Sequence, residues 1–171
     1  GTDMKMYKDG VMIADETLNS SMSGQIDTVG RNWSGKYHSG YLGDFRVYSA
    51  QLSETQMKEV FDTSVVLPTG LSHDKLEQWF PMKETKTFAA GNKVVDYSGK
   101  GRHGIRTNFG TGYSQGNQAG FISGYGSCKM FFDKSDDEVN VTGDIGISHE
   151  SGSSSLSFWV QHDDLNNVDL P

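Results

Sequence analysis

The run Gly43-Asp-Phe-Arg-Val-Tyr-Ser-Ala-Gln-Leu-Ser-Glu-Thr-Gln-Met-Lys-Glu-Val-Phe61 constrains the chain more than any other stretch. Its first part alternates as a strand does, with Phe45, Val47 and Ser49 on one face and Asp44, Arg46 and Tyr48 on the other. Ser53 then stands where a helix N-cap belongs, and Gln56, three residues on, completes a capping box in which each side chain satisfies an orphan backbone donor. Leu52 and Met57 flank the box as a hydrophobic staple, and Glu54 in the first turn suits the helix dipole. The spacing predicts a strand, a turn and one short capped helix near 53–61. Such a segment closes a domain, yet more than half of the chain follows it.

The remaining sequence is short apolar runs punctuated by glycine. With 21 glycines, 3 prolines and no long helical period, the composition predicts an all-β protein with many tight turns. Met4–Lys8, Asp9-Gly10 and Val11–Ala14 form a hairpin signal, because Asp-Gly suits a type I′ turn. Glu16 to Gly24 reads as loop and Gln25–Gly30 as one short strand. Residues 63–75, with Pro68 and Gly70, read as a linker. Strands are expected at Leu76–Phe80, Lys129–Phe132, Glu138–Thr142 and Leu156–Gln161, the last with Leu156, Phe158 and Val160 facing inward, while Val94-Val95 reads as a short apolar step into the next turn. Asp96–Gly104 reads as a glycine-punctuated turn and Thr107–Gly126 as loop with at most a short strand.

Several function classes drop out. A formal net charge of −7 disfavours a nucleic-acid surface. No apolar run reaches membrane-spanning length. Cys128 is the single cysteine, so no internal disulfide framework exists. His38 and His103 lack a partner at zinc-ligand spacing. The sequons at Asn19, Asn32 and Asn140 point to an extracellular or surface-exposed, glycosylated protein.

Tyr7-Lys-Asp-Gly10, Val29-Gly-Arg31, Gly40–Tyr48 and Leu52–Gln56 resemble the C-terminal half of a laminin-G-like jelly-roll domain, of the concanavalin A-like lectin and glucanase superfamily. Trp79-Phe-Pro-Met82, Asp96–Gly104 and Ser155–Val160 resemble its N-terminal half. The resemblance implies an antiparallel β-sandwich, with residues 1–62 as the C-terminal half, 63–75 as linker and 76–171 as the N-terminal half. The halves stand in inverted order, and three arrangements account for it: a window cut across two adjacent repeats, copies that complete each other head to tail, or a permuted sandwich closed within one chain. Half a sandwich exposes an apolar face and open edges, and a head-to-tail contact that fails to close builds a filament. The expected function is therefore a non-catalytic structural or adhesive module whose partners are adjacent repeats or other copies of itself, and the alternative is a carbohydrate-binding lectin-like module.

The superfamily includes glycoside hydrolases, which need two carboxylates about the scissile bond. Their Glu-x-Asp-x-x-Glu strand is missing here, so no catalytic residue is assigned. For glycan binding, Trp33, Tyr37, His38 and Tyr41 lie in a Gly/Ser-rich loop of platform composition. For calcium, the densest acidic group is Asp133, Asp136, Asp137 and Glu138, competing with a plain solvated turn. Asp163, Asp164 and Asp169 form a second acidic group. Asp96 is expected to make an Asx-type turn bond to its own backbone.

Overall fold

The computed structural model describes residues 2–18, 24–32, 34–63, 65–82, 93–109, 130–143, 146–147 and 153–162. The protein is built mostly of antiparallel strands with one α-helix. In chain order these are β1 (Thr2–Lys8), β2 (Val11–Leu18), β3 (Gly24–Gln25), β4 (Thr28–Val29), β5 (Ser39–Tyr48), α1 (Glu54–Thr63), β6 (Leu76–Phe80), β7 (Lys93–Val94), β8 (Gly104–Thr107), β9 (Met130–Asp133), β10 (Glu138–Val141), β11 (Gly146–Ile147) and β12 (Ser155–His162).

Strand β5 is the axis. Strand β12 takes one of its edges along almost its whole length. The other edge is shared: β9 pairs with Ser39–Leu42 and β6 with Phe45–Tyr48. Strands from either side of residues 63–75 thus complete one sheet. A second sheet runs β4-β10-β8-β7 and also mixes the two parts of the chain, since β4 pairs with β10. One buried cluster joins the sheets: Val29, Leu42, Phe45, Val47, Phe80, Met82, Val94, Met130, Phe132 and Val139.

A bulge in β5 makes that cluster possible. Ser157 pairs with Arg46 but Trp159 pairs with Gly43, so Asp44 and Phe45 together oppose Phe158. Asp44 takes the extra residue in left-handed backbone at φ 49°. The inserted residue resets the alternation, and Leu42 before it joins Phe45 and Val47 after it on the core side. The opposite face is buried as well. There Tyr48, Leu52, Val60 and Leu76 form a second cluster, with Val66, Leu67, Leu71 and Trp79 packed against it. Residues 65–75 therefore lie against the sheet, with a 3-10 turn at His73–Lys75. Arg46, 1% exposed, donates to the Asp44 carboxylate through Nε at 2.9 Å and also through Nη2, and donates through Nη1 to the Val65 carbonyl at 2.5 Å. Trp79 Nε1 donates to the same carboxylate at 2.8 Å.

The capping box is present as expected: Ser53 N donates to Gln56 Oε1 at 2.9 Å and Gln56 N to Ser53 Oγ at 3.2 Å. Ser155 Oγ ties β12 to the helix entry by accepting from Leu52 N and donating to the Ala50 carbonyl. The Asp9-Gly10 turn has φ of 52° and 74°, the type I′ pattern. Asp96 Oδ1 accepts from Ser98 N at 2.9 Å, the Asx turn expected of it, and also from Trp79 N.

Four local expectations are corrected. Strand β2 runs through Glu16 and Thr17 to Leu18, because β1 supplies a ladder partner for these polar residues. Gln25–Gly30 is two short strands, β3 and β4, paired with different partners. Gly104–Thr107 is a strand of the second sheet, since flanking β7 and β10 satisfy its backbone. Leu156, Phe158 and Val160 do lie on the core side, opposite Val47, Phe45 and Leu42, but they remain 42%, 46% and 51% exposed. Among the described strands β12 is the outermost of its sheet, so a core-facing side chain there is covered by a described neighbour on one side. Among the described residues no helix is long and apolar enough to cross a membrane.

Candidate functional site

The pairing of β5 with β9 brings together two segments roughly a hundred residues apart. Ser39 stands opposite Asp133, Gly40 opposite Phe132 and Tyr41 opposite Phe131. The loop entering β5 and the turn leaving β9 therefore share one rim. Lys134 N donates to the His38 carbonyl at 3.0 Å, and Arg31 Nη1 forms an ion pair with Glu138 Oε2 at 3.0 Å. The Tyr37 hydroxyl and the Glu138 carboxylate raise the Arg31 pKa above its ordinary value. A bridge between Arg31 and Tyr37 closes the loop, and Asn32 Oδ1 fills it by accepting from Ser34 N, Ser34 Oγ and Lys36 N. Beneath, Gly30 holds φ 95°, and a Cβ there would lie 2.2 Å from the Phe132 ring. Only glycine lets the loop approach that ring so closely.

The candidate aromatic residues divide between two faces. His38 packs edge-on against Phe132 at 5.9 Å between centroids. Tyr41 packs on Phe131, at 5.1 Å. Phe131 and Phe132 are adjacent in a strand and point to opposite sides. Tyr41 with Phe131 thus makes an outward, half-buried pair, while His38 supports the core edge. Tyr37 stays beside Arg31 at the loop base. Trp33 lies outside the described residues.

Three of the four candidate cation ligands gather. Asp133, Asp136 and Asp137 each offer a carboxylate oxygen, all within 4.8 Å of one another. Asp133 Oδ1 accepts from Ser135 N at 2.8 Å, and Asp137 Oδ2 accepts from Asp133 N at 2.8 Å. Asp137 is 3% exposed, and among the described residues its Oδ1 accepts no hydrogen bond. Burial pushes the Asp137 carboxyl up to about 6; the charges of Asp133 and Asp136 add to this, and the Asp133 backbone donor opposes it. Glu138 belongs to another set, with Oε2 on Arg31 and Oε1 accepting from Asn140 Nδ2 at 3.1 Å.

Of the sequon asparagines, Asn32 is exposed, while Asn140 Nδ2 already donates to Thr107 Oγ1 at 2.8 Å as well as to Glu138. Asn19, Cys128 and the group Asp163, Asp164 and Asp169 lie outside the described residues. Sequence reasoning did not single out Arg31 as the link between loop and turn. The only hint was its place beside Gly30 in an otherwise uncharged run. On the far face of β6, Val65–Leu67, His73, Leu76, Trp79 and Tyr97 line an open, mostly apolar hollow of about 320 Å³.

No protein-family model, curated protein or solved structure matches the chain.

Proposed function

We propose that the chain is a non-catalytic β-sandwich module of laminin-G-like, jelly-roll type, working in adhesion in a secreted or surface-exposed protein. It would present the rim of residues 30–41 and 133–138 to a glycan partner. The observation that carries this reading is the Ser39–Asp133 register, which unites the aromatic loop with the acidic turn on one edge of the molecule. The shared core of the two sheets supports the sandwich, and the three sequons support the extracellular setting. Tyr41 and Phe131 offer an apolar surface for a sugar ring, and the exposed polar groups around them suit its hydroxyls. Glycan-array binding, followed by Tyr37→Ala and Tyr41→Ala, tests it. Loss of binding in Tyr41→Ala is expected. Undiminished binding in both variants would remove the rim as the site, and silence of the unsubstituted chain across the array would remove glycans as the partner.

Assembly of copies is the second reading, favoured by the long β5–β12 ladder and the half-exposed Leu156, Phe158 and Val160 at its edge. The same ladder would form if β12 came from a neighbouring copy, giving a repeat or a head-to-tail filament. Sedimentation at rising concentration decides between them; a constant monomer mass would exclude exchange.

A further inference from the structure

We propose that Asn32 carries an N-linked glycan in the folded protein and that Asn140, the other sequon asparagine among the described residues, stays bare. Both positions satisfy the acceptor pattern, as Asn32-Trp-Ser34 and Asn140-Val-Thr142. The pattern treats them alike, but the surroundings of the two carboxamides differ. Modification at Asn32 rests on the secreted or surface-exposed setting proposed above.

Asn32 is exposed, in the loop closed by the Arg31–Tyr37 bridge. Its backbone is fixed: Asn32 N donates to the Lys36 carbonyl at 2.9 Å, and the Asn32 carbonyl accepts from Gly35 N at 3.0 Å. Its Oδ1 accepts from Ser34 N at 3.0 Å, Ser34 Oγ at 2.9 Å and Lys36 N at 2.9 Å. Two of those donors are backbone N–H groups, which require an oxygen as acceptor. The carboxamide therefore has one orientation, and Nδ2 is the atom left over. Among the described residues Nδ2 of Asn32 makes no hydrogen bond. The Ser34 hydroxyl, the group that the acceptor pattern demands, already lies on the acceptor carboxamide.

Asn140 is the opposite case. It is half-buried in β10, a strand flanked by β4 and β8. Its Nδ2 donates to Thr107 Oγ1 at 2.8 Å and to Glu138 Oε1 at 3.1 Å, which uses both N–H groups. The Thr142 hydroxyl donates to the His103 carbonyl. In glycosyl transfer Nδ2 bonds to C1 of the sugar, and the C1–oxygen bond of a polyprenyl-diphosphate-linked oligosaccharide breaks. The diphosphate leaves with the bonding pair, and one Nδ2 proton passes to solvent, so one N–H remains. At Asn32 this breaks no bond among the described residues. At Asn140 it takes a donor from Thr107 or from Glu138, the latter 9% exposed, across the β8–β10 ladder. Transfer before folding brings the same penalty, since the second sheet then has to close beside a sugar. On Asn32 the glycan adds a bulky, solubilising group to the rim itself.

The full chain, expressed behind a cleavable signal sequence in a eukaryotic secretory host, tests this. Amidase release of N-glycans in heavy-oxygen water, followed by peptide mapping, marks each formerly occupied asparagine as a labelled aspartate. Label at Asn32 and none at Asn140 is expected. Asn32→Gln and Ser34→Ala should each lose one glycan-sized step in intact mass, and Asn140→Gln should lose none. Chain from the medium and from the cells is mapped alike, so a variant that folds poorly is still read. An unlabelled Asn32 in both fractions would overturn the proposal, and so would label at Asn140 in the secreted chain. Because the signal is supplied, these outcomes do not depend on the natural route of export. Absence of the protein from the surface and medium of its source cells, read with an antibody, would instead refute the extracellular setting.

Discussion

Replacing Arg46 with Met tests whether the buried ion pair beside the β5 bulge acts as a unit. Methionine keeps much of the aliphatic stem but removes every donor. Among the described residues Asp44, 9% exposed, would keep the Trp79 indole N–H alone as donor, and the Val65 carbonyl would lose its Arg46 donor. Removing one partner of a buried pair costs about 3–5 kcal/mol, because the other charge is left uncompensated. Set against a total stability of about 5–15 kcal/mol, that is a large share. Asp44→Asn is the matching half of the cycle. Asn tolerates the left-handed backbone at φ 49° and can still accept from Trp79, but it leaves the Arg46 charge buried. The double variant has no charge left to strand, so it should be more stable than the sum of the singles predicts, by about 2 kcal/mol. Urea unfolding followed by circular dichroism, with the slope checked for constancy, gives all four free energies. An Arg46→Met cost below about 1 kcal/mol, or additivity within about 0.5 kcal/mol, would refute the reasoning.

Gly30→Ala should cost about 3 kcal/mol, from a Cβ forced onto the Phe132 ring and from a φ of 95° that alanine disfavours; a loss under about 1 kcal/mol in the same urea assay would mean that loop and ring separate freely. An acid titration of stability tests Glu77. Burial pushes its carboxyl up, but hydrogen bonds from Arg102 at 2.7 Å and Ser49 at 2.9 Å, with the charges of Lys100 and Arg102, outweigh this and hold it below the ordinary value. The folded state therefore binds fewer protons than the unfolded one in that range. The contribution is fully present above the ordinary glutamate value of about 4.3 and is lost as pH falls through the lower folded value. The stability gap between the unsubstituted chain and Glu77→Gln should close across that window, and a pH-independent gap would contradict it.

What could be read from the sequence was chemistry that closes within a few residues. The Ser53–Gln56 capping box, the Asp9-Gly10 turn and the Asx bond of Asp96 each join groups two or three positions apart, and each is present in the structure. Strand β6 was bounded correctly because Pro81 ends its alternation. Leu156, Phe158 and Val160 were placed on the right face but not at the sheet edge, since periodicity gives the side of a strand and says nothing of its neighbours. The left-handed Asp44, which turns Leu42 to the same core as Phe45, leaves no mark in an otherwise regular strand.

The candidate site divides along the same line. Composition alone brought out the acidic run 133–138 and the aromatic loop 33–41, but as two unrelated sites. Their union depends on the β5–β9 register, and so do the Lys134–His38 bond and the Arg31–Glu138 pair that lie across it. Register between strands a hundred residues apart is a property of the packed core. It is chosen by which apolar side chains meet, here Met130 and Phe132 against Leu42 and Val29, and no local run of residues carries it. The sequence by itself therefore determined the elements and the types of residue available at the rim. The tertiary structure decided which of them meet: it turned His38 inward and Tyr41 outward, drew Glu138 to Arg31, and gathered the carboxylates of Asp133, Asp136 and Asp137.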